Sequence, residues 1–167
     1  MAHDREIVID IVPVLEEDIP ELSQVMTRAF DDDARKHLGV EKGGPAGYDD
    51  GEFFRKWLFS HDASVGYKIT SAGRIVGAFI LWLLEDGCNR LGTIFVDPDY
   101  QDQGVATRAW CFIERTYPDS QRWTLATPGW ALKSHHFYEQ KCGFTKVGEE
   151  LSLEGVSFIY QKTMRTR

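Results

Sequence analysis

An α+β domain with strands and helices in the order β-α-α-β-β-β-α-β-α-β-β, about seven strands and four helices, is the fold this sequence predicts. Three observations lead to it. Runs rich in β-branched and aromatic residues alternate with stretches whose apolar residues recur at helical spacing. Turn signals at Ser71-Ala72-Gly73, Asp86-Gly87 and Glu154-Gly155 join successive strands as hairpins, so the sheet is mostly antiparallel. The 167 residues, 43% apolar and 27% charged, suit one core, hence a single domain over residues 1–167.

The run "EIVIDIVPVL" opens the chain as a strand, and "EEDIPEL" starts the first helix, with Asp18 as cap, Pro20 in the first turn and Glu21 three residues past the cap. Leu22, Val25, Met26, Ala29 and Phe30 give that helix one apolar face. Residues 31–51, "DDDARKHLGVEKGGPAGYDDG", show little periodicity and read as a long surface connection. A second short helix, "EFFRKWLF", groups Phe53, Phe54, Trp57 and Leu58 on one side. Strands "SVGYKIT", "RIVGAFILWLL" and "RLGTIFVDP" follow. Val105, Ala109, Phe112, Ile113 and Thr116 mark the third helix. "QRWTLATP" is a strand, "GWALKSHHFYEQKCGF" a helix capped by Gly143 with Cys142 in the core, and "TKVGEELSLEGVSFIYQKTM" a closing hairpin.

The net charge of −7 argues against a nucleic-acid partner, whose phosphates would call for a basic face. Cys88, Cys111 and Cys142 are odd in number and form no C-x-x-C pattern, so neither disulfides nor a zinc ribbon is expected. The start "MAHDREIVID" lacks the pattern of a signal peptide, and the longest apolar run, Val76 to Leu84, is half of what a bilayer requires. These features predict a soluble, cytoplasmic protein with no membrane partner.

The stretch "FVDPDYQDQGVATRAW", residues 95–110, holds the strongest functional signal. A strand ending at Val96 and a helix starting near Gly104 leave the backbone N–H groups of residues 102–107 free at a helix N-terminus, which attracts an anion. Gly104 permits close approach, Ala106 nearly so, and Thr107 adds a hydroxyl. A lone glycine could merely turn the chain, so the spacing matters. Gln101-x-x-Gly104-x-Ala106, after Val96-Asp97-Pro98, resembles the acyl-CoA signature Q/R-x-x-G-x-G/A of the GNAT superfamily of N-acyltransferases. A second match, Phe137-Tyr138-x-x-x-x-Gly143-Phe144, resembles that family's closing motif, and the resemblance extends over essentially the full chain.

That resemblance implies a central, mostly antiparallel sheet whose fourth and fifth strands splay as a V. Acetyl-CoA is the implied donor, with its pantetheine arm along Phe95 and Val96 and its pyrophosphate on the amides of Gln103, Gly104, Val105, Ala106 and Thr107. Gln101 and Asp102 belong to the same loop, and Asp102 must aim its carboxylate away from the phosphates. Ala131 stands where the family often has an asparagine. Ala131, Ser134 and Tyr138 share a helical face expected to line the cleft.

Amine acylation needs a neutral amine, a donor for the carbonyl oxygen and a proton for the leaving thiolate. Holding a lysine-like amine neutral at pH 7 costs about 4.6 kcal/mol. By the resemblance, a backbone N–H near Val96 stabilises the oxyanion. Tyr138 is the candidate to protonate or hydrogen-bond the thiolate; as a phenol, it would transfer its proton uphill by about 2 kcal/mol. The glutamate that some members carry on the fourth strand is missing, since Arg90 and Thr93 stand there. Glu85 is the candidate base, acting through a water. Phe30 and Tyr48 are the candidates to line the acceptor pocket, and Asp31, Asp32, Asp33, Asp49 and Asp50 flank the segment that covers it, as an attraction for a cationic amine or as a solvated loop. His135, His136, Glu139 and Cys142 suggest a metal, but one helix offers at most two facing ligands, so no metal is expected.

The implied function is acetyl transfer to a small-molecule primary amine, by direct attack in a ternary complex. The alternatives are a protein lysine or N-terminal amine as acceptor, or a non-catalytic acyl-CoA-binding regulatory module. A dinucleotide fold is opposed, because no G-x-G-x-x-G follows a strand. The oligomeric state is not legible from the sequence; a homodimer is one arrangement open to it.

Overall fold

The structure, a computed structural model, describes residues 7–164. Strands β1 (Asp10–Pro13), β2 (Ser64–Ser71), β3 (Arg74–Trp82), β4 (Cys88–Val96), β5 (Arg122–Pro128), β6 (Thr145–Ser152) and β7 (Gly155–Thr163) form a seven-stranded sheet in the order β1-β2-β3-β4-β5-β7-β6. Helices α1 (Ile19–Leu38), α2 (Glu52–Phe54), α3 (Val105–Thr116) and α4 (Leu132–His136) complete the expected order; α2 and α4 each run on as a π-turn, over Arg55–Phe59 and Phe137–Cys142. Every strand pair is antiparallel except β4 with β5. Glu6, where the first strand is expected to open, lies outside the described residues.

The first helix differs most from expectation. It does not stop near Phe30 but continues to Leu38, so the surface connection shrinks to the residues after it. Local signals explain the extra turns. Asp32 and Lys36 form an i,i+4 ion pair at 2.9 Å, Arg35, Lys36 and His37 place positive or polarisable groups at the carbonyl end, and Gly39, at φ 69°, closes the helix by donating to the Ala34 carbonyl. Asp18 makes no side-chain cap inside this helix. Its carboxylate instead accepts from the Leu15 N–H and pairs with Lys68, while Glu21 accepts from the Ile75 N–H of β3. In α3 it is Trp110 that is buried with Val105, Ala109 and Ile113, whereas Thr116 is exposed.

The sheet is packed on both faces, which explains the nearly continuous apolar run of β3. On one face Val76, Phe79 and Leu81 meet Val105, Ala109, Trp110 and Ile113 of α3, and Trp123, Tyr138, Phe144 and Tyr160. On the other, Ile75, Ala78, Ile80 and Phe95 meet Leu22, Val25, Met26 and Ala29 of α1, with Phe53 and Phe54. Each such fully buried large side chain contributes about 1.5–3 kcal/mol.

What positions the site is the meeting of β4 and β5. Residue pairs join them only at Cys88↔Arg122, Asn89↔Trp123 and Arg90↔Thr124. Just past that point β4 carries a bulge, since Ile80 pairs with Thr93 and Leu81 with Leu91, leaving Gly92 as the extra residue. A bulge sharpens local twist. From Leu91 to Val96, a length of roughly 20 Å at strand rise, the two strands part and leave a wedge that opens toward the start of α3.

Candidate active site

At the mouth of the wedge, Asp97 caps the short turn Pro98–Tyr100 by accepting from the Asp99 N–H, and the loop then runs to α3. Asp102 and Gly104 both take left-handed backbone, at φ 61° and 79°. The first backbone bond of α3 is Arg108 N–H to the Gly104 carbonyl, so the N–H groups of residues 102–107 have no backbone acceptor among the described residues. A Cβ built on Gly104 meets nothing within 4 Å. The cradle is therefore open at that point, and six amide donors line it near the positive end of a 12-residue helix.

The loop's side chains hold its shape. Gln101 donates its amide to the Val96 carbonyl at 3.0 Å and accepts from Lys133 Nζ at 3.0 Å. The same Lys133 draws Asp102 into an ion pair at 3.2 Å. This turns the Asp102 carboxylate toward α4, and it ties the β4 side of the wedge to the β5 side. Val105 is buried in the core, while Ala106 and Thr107 are half-buried on the exposed turn. These residues fit a pyrophosphate.

Across the wedge, Ala131 is buried at the head of α4 and offers a methyl where the resemblance expects an amide; Ser134 is half-buried one turn on. Tyr138 sits in the π-turn with its ring 6.0 Å from both Phe144 and Tyr160. Its hydroxyl makes no hydrogen bond to a described residue, yet it is not among the fully enclosed polar atoms, so it reaches an opening. Burial pushes its phenol well above the ordinary tyrosine value, with the Cys142 thiol adding to this. Proton transfer from it becomes more uphill still. Cys142 is packed, its thiol pushed up to about 12 chiefly by burial, which leaves it a poor nucleophile. His135 stacks on Phe158 at 4.7 Å and donates from Nε2 to the Pro128 carbonyl. Among the described residues no three His, Cys, Asp or Glu side chains gather as a metal site.

On the opposite face α1 crosses the wedge. Phe30 meets Phe95 of β4 at 6.3 Å, and two turns later His37 meets Trp130, just beyond β5, at 6.0 Å. Tyr48 packs against Phe30 but is buried, and its hydroxyl donates to Asp31 at 2.6 Å. That contact, with burial as the larger cause, pushes the Tyr48 phenol up to about 12. Asp31 also accepts from the Gly43 N–H, so this pair fastens the segment after α1 to the helix. Asp32 is paired with Lys36, and Asp50 accepts from the Glu52 N–H at the start of α2. Glu85 is not brought to the others. It is exposed in the β3–β4 turn, at the end where β4 and β5 are still paired, so the wedge opens away from it.

Sequence reasoning did not single out Arg28, whose guanidinium pairs at 2.6 Å with the buried Asp97. This bond ties α1 to the end of β4, and its sequence signal is weak because the partners lie 69 residues apart. Arg28→Ala is expected to cost about 1–3 kcal/mol by leaving a buried carboxylate short of a donor. A thermal melt measures it, at roughly 2–4 °C per kcal/mol. A melt that does not move would show the pair to be ornamental.

Comparison with known proteins agrees with this architecture. A family model described as "Acetyltransferase (GNAT) family" matches residues 22–144. The chain is 31% identical over 130 residues to YrkN, an uncharacterized protein of Bacillus subtilis (strain 168), covering 77% of this chain and 69% of that one. Among solved structures, an acetyltransferase from Thermus thermophilus superposes with a TM-score of 0.76 at 17% identity, covering 95% of this chain and 99% of the other. The PaiA N-acetyltransferase from Thermoplasma acidophilum, solved in complex with coenzyme A, superposes with a TM-score of 0.72 at 15% identity, covering 93% and 99%.

Proposed function

Since the chain belongs to the acetyltransferase (GNAT) family, we propose that it transfers an acetyl group from acetyl-CoA to the primary amine of a small molecule, by direct attack in a ternary complex. One observation carries the donor half of this reading: the free amides of residues 102–107 stand at the mouth of the wedge between β4 and β5. The amides of Gln103, Gly104, Val105, Ala106 and Thr107 would hold the pyrophosphate, and the stretch of β4 at Phe95 and Val96, parted from β5, the pantetheine. Bound acetyl-CoA supplies the thioester carbonyl that the amine attacks. A β4 backbone N–H near Val96 would stabilise the developing oxyanion, and the Tyr138 hydroxyl would donate to the leaving sulfur.

The acceptor half rests on α1. Its crossing from Phe95 to Trp130 roofs the far side of the wedge, which favours a small amine over a protein surface laid in an open groove. A cytoplasmic setting suits the three free cysteines. The test is calorimetric titration of the purified protein with acetyl-CoA, followed by a screen of small amines for thiol release. Saturable binding with amine-dependent release supports the enzyme. Binding with no release from any amine or peptide acceptor would favour the regulatory module instead, and no binding by folded protein would sink both.

A further inference from the structure

Asp33 lies between Phe30 and His37 on one face of α1, three residues after the first and four before the second. Those neighbours fix where the face looks, since Phe30 rests on β4 and His37 on Trp130. A side chain between them projects over the parted strands, on the side away from α3. Asp33 is half-buried there, yet among the described residues its carboxylate accepts no hydrogen bond and joins no ion pair. Of the cationic groups near it, Lys36 pairs with Asp32 and Lys133 with Gln101 and Asp102, while His37, one turn on, lies close to the carboxylate without bonding it. Asp31 and Asp50 accept hydrogen bonds within the chain, whereas Asp33 has no such bond among the described residues. Its burial raises the carboxyl pKa above the ordinary value. A carboxylate kept partly dry and unpaired at a cleft is the pattern of a group that awaits a ligand.

Building on the acetyltransferase reading, we infer that Asp33 recognises the acceptor, holding a cationic amine group of the incoming small molecule at the α1 side of the wedge. The rings of Phe30 and Phe95 beside it suit the alkyl stem of such an amine. An anionic or neutral acceptor would leave this carboxylate uncompensated.

The natural acceptor need not be known to test this. Coenzyme A thioethers with alkyl tails of increasing length, each ending in an ammonium, are titrated calorimetrically against their uncharged alkyl twins. The wild-type protein is expected to prefer the ammonium form by about tenfold at its best tail length. Asp33→Asn should lose that preference while binding the uncharged twin as before, and Asp33→Glu should keep part of it. Equal binding of both forms at every length overturns the inference and leaves the acetyltransferase reading standing. Failure of either form to bind would instead remove the cofactor cleft and the reading beneath it.

A melt separates recognition from a structural role. The folded carboxyl holds its proton more tightly than the unfolded one, so stability falls as pH rises through the interval between the two pKa values. Above that interval the charged group is a burden, which asparagine removes. Asp33→Asn should therefore raise Tm by roughly 1–3 °C at neutral pH, a gain that fades on acidification. The groups facing it, Asp32, Lys36 and His37 on α1 and Lys133 on α4, are unchanged in the variant. A lower Tm in Asp33→Asn would mark the residue as structural and overturn the inference.

Discussion

Gly104→Glu is expected to abolish saturable binding of acetyl-CoA while leaving a folded protein. Gly104 sits at φ 79°, where a side chain costs about 1–2 kcal/mol, so some stability is lost. The fold survives because a Cβ there meets nothing within 4 Å. The carboxylate then acts as a built-in anion. It can take up the free amides at the start of α3, and it repels a pyrophosphate brought to the same place. Gly104→Ala separates the two causes, since it carries the same backbone strain without the charge. Calorimetry should show a partial loss for alanine and a complete one for glutamate. Retained binding in the glutamate variant would mean that the cofactor does not use this cradle.

Tyr138→Phe should lower turnover by about a hundredfold and leave the affinity for acetyl-CoA within roughly twofold. The reasoning starts from what the phenol does not do. It has no hydrogen-bond partner among the described residues, so phenylalanine removes no such contact there and the ring can keep its packing against Phe144 and Tyr160. Stability should hold. What would disappear, on the proposed mechanism, is a donor to a sulfur that gains charge as it leaves, an interaction worth more in the transition state than in the ground state. Because burial has pushed the phenol pKa upward, wild-type turnover should show no alkaline decline from this residue in the ordinary assay range. Full activity in the variant would return Tyr138 to the core as a packing residue and leave the thiolate to water.

The loop proposed to hold the donor could be read from the sequence because it is written locally. Gln101, Gly104 and Ala106 lie within six residues, and the strand, turn and helix around them follow from periodicity and a proline. The antiparallel pairings of β2 with β3, β3 with β4 and β6 with β7 followed from hairpin signals for the same reason. The α1 side of the wedge was obscure for the opposite reason. Asp31-Asp32-Asp33 reads as a loop by composition, and only the Asp32–Lys36 pair and the Gly39 stop reveal two further helical turns. Extending α1 places Asp33 in register with Phe30. Contacts across long separations, such as Arg28 with Asp97 or Lys133 with Gln101, leave almost no trace in a single sequence. Glu85, expected at the end of the third strand within a water's reach of the cleft, lies at the end where β4 and β5 are still paired, away from the opening.

The parting of β4 and β5 also bears on how long the protein survives. Past Arg90 and Thr124 two interior strands present unpaired edges to each other, the kind of surface on which a stray strand can nucleate aggregation. A molecule lying in the gap stands in for the missing ladder and guards both edges. At a hundredfold excess over its Kd such a ligand adds about 2.7 kcal/mol to folding. The chain's resistance to proteolysis and self-association is thus expected to rise and fall with the supply of acetyl-CoA, so that a cell rich in it keeps more of this protein without making more.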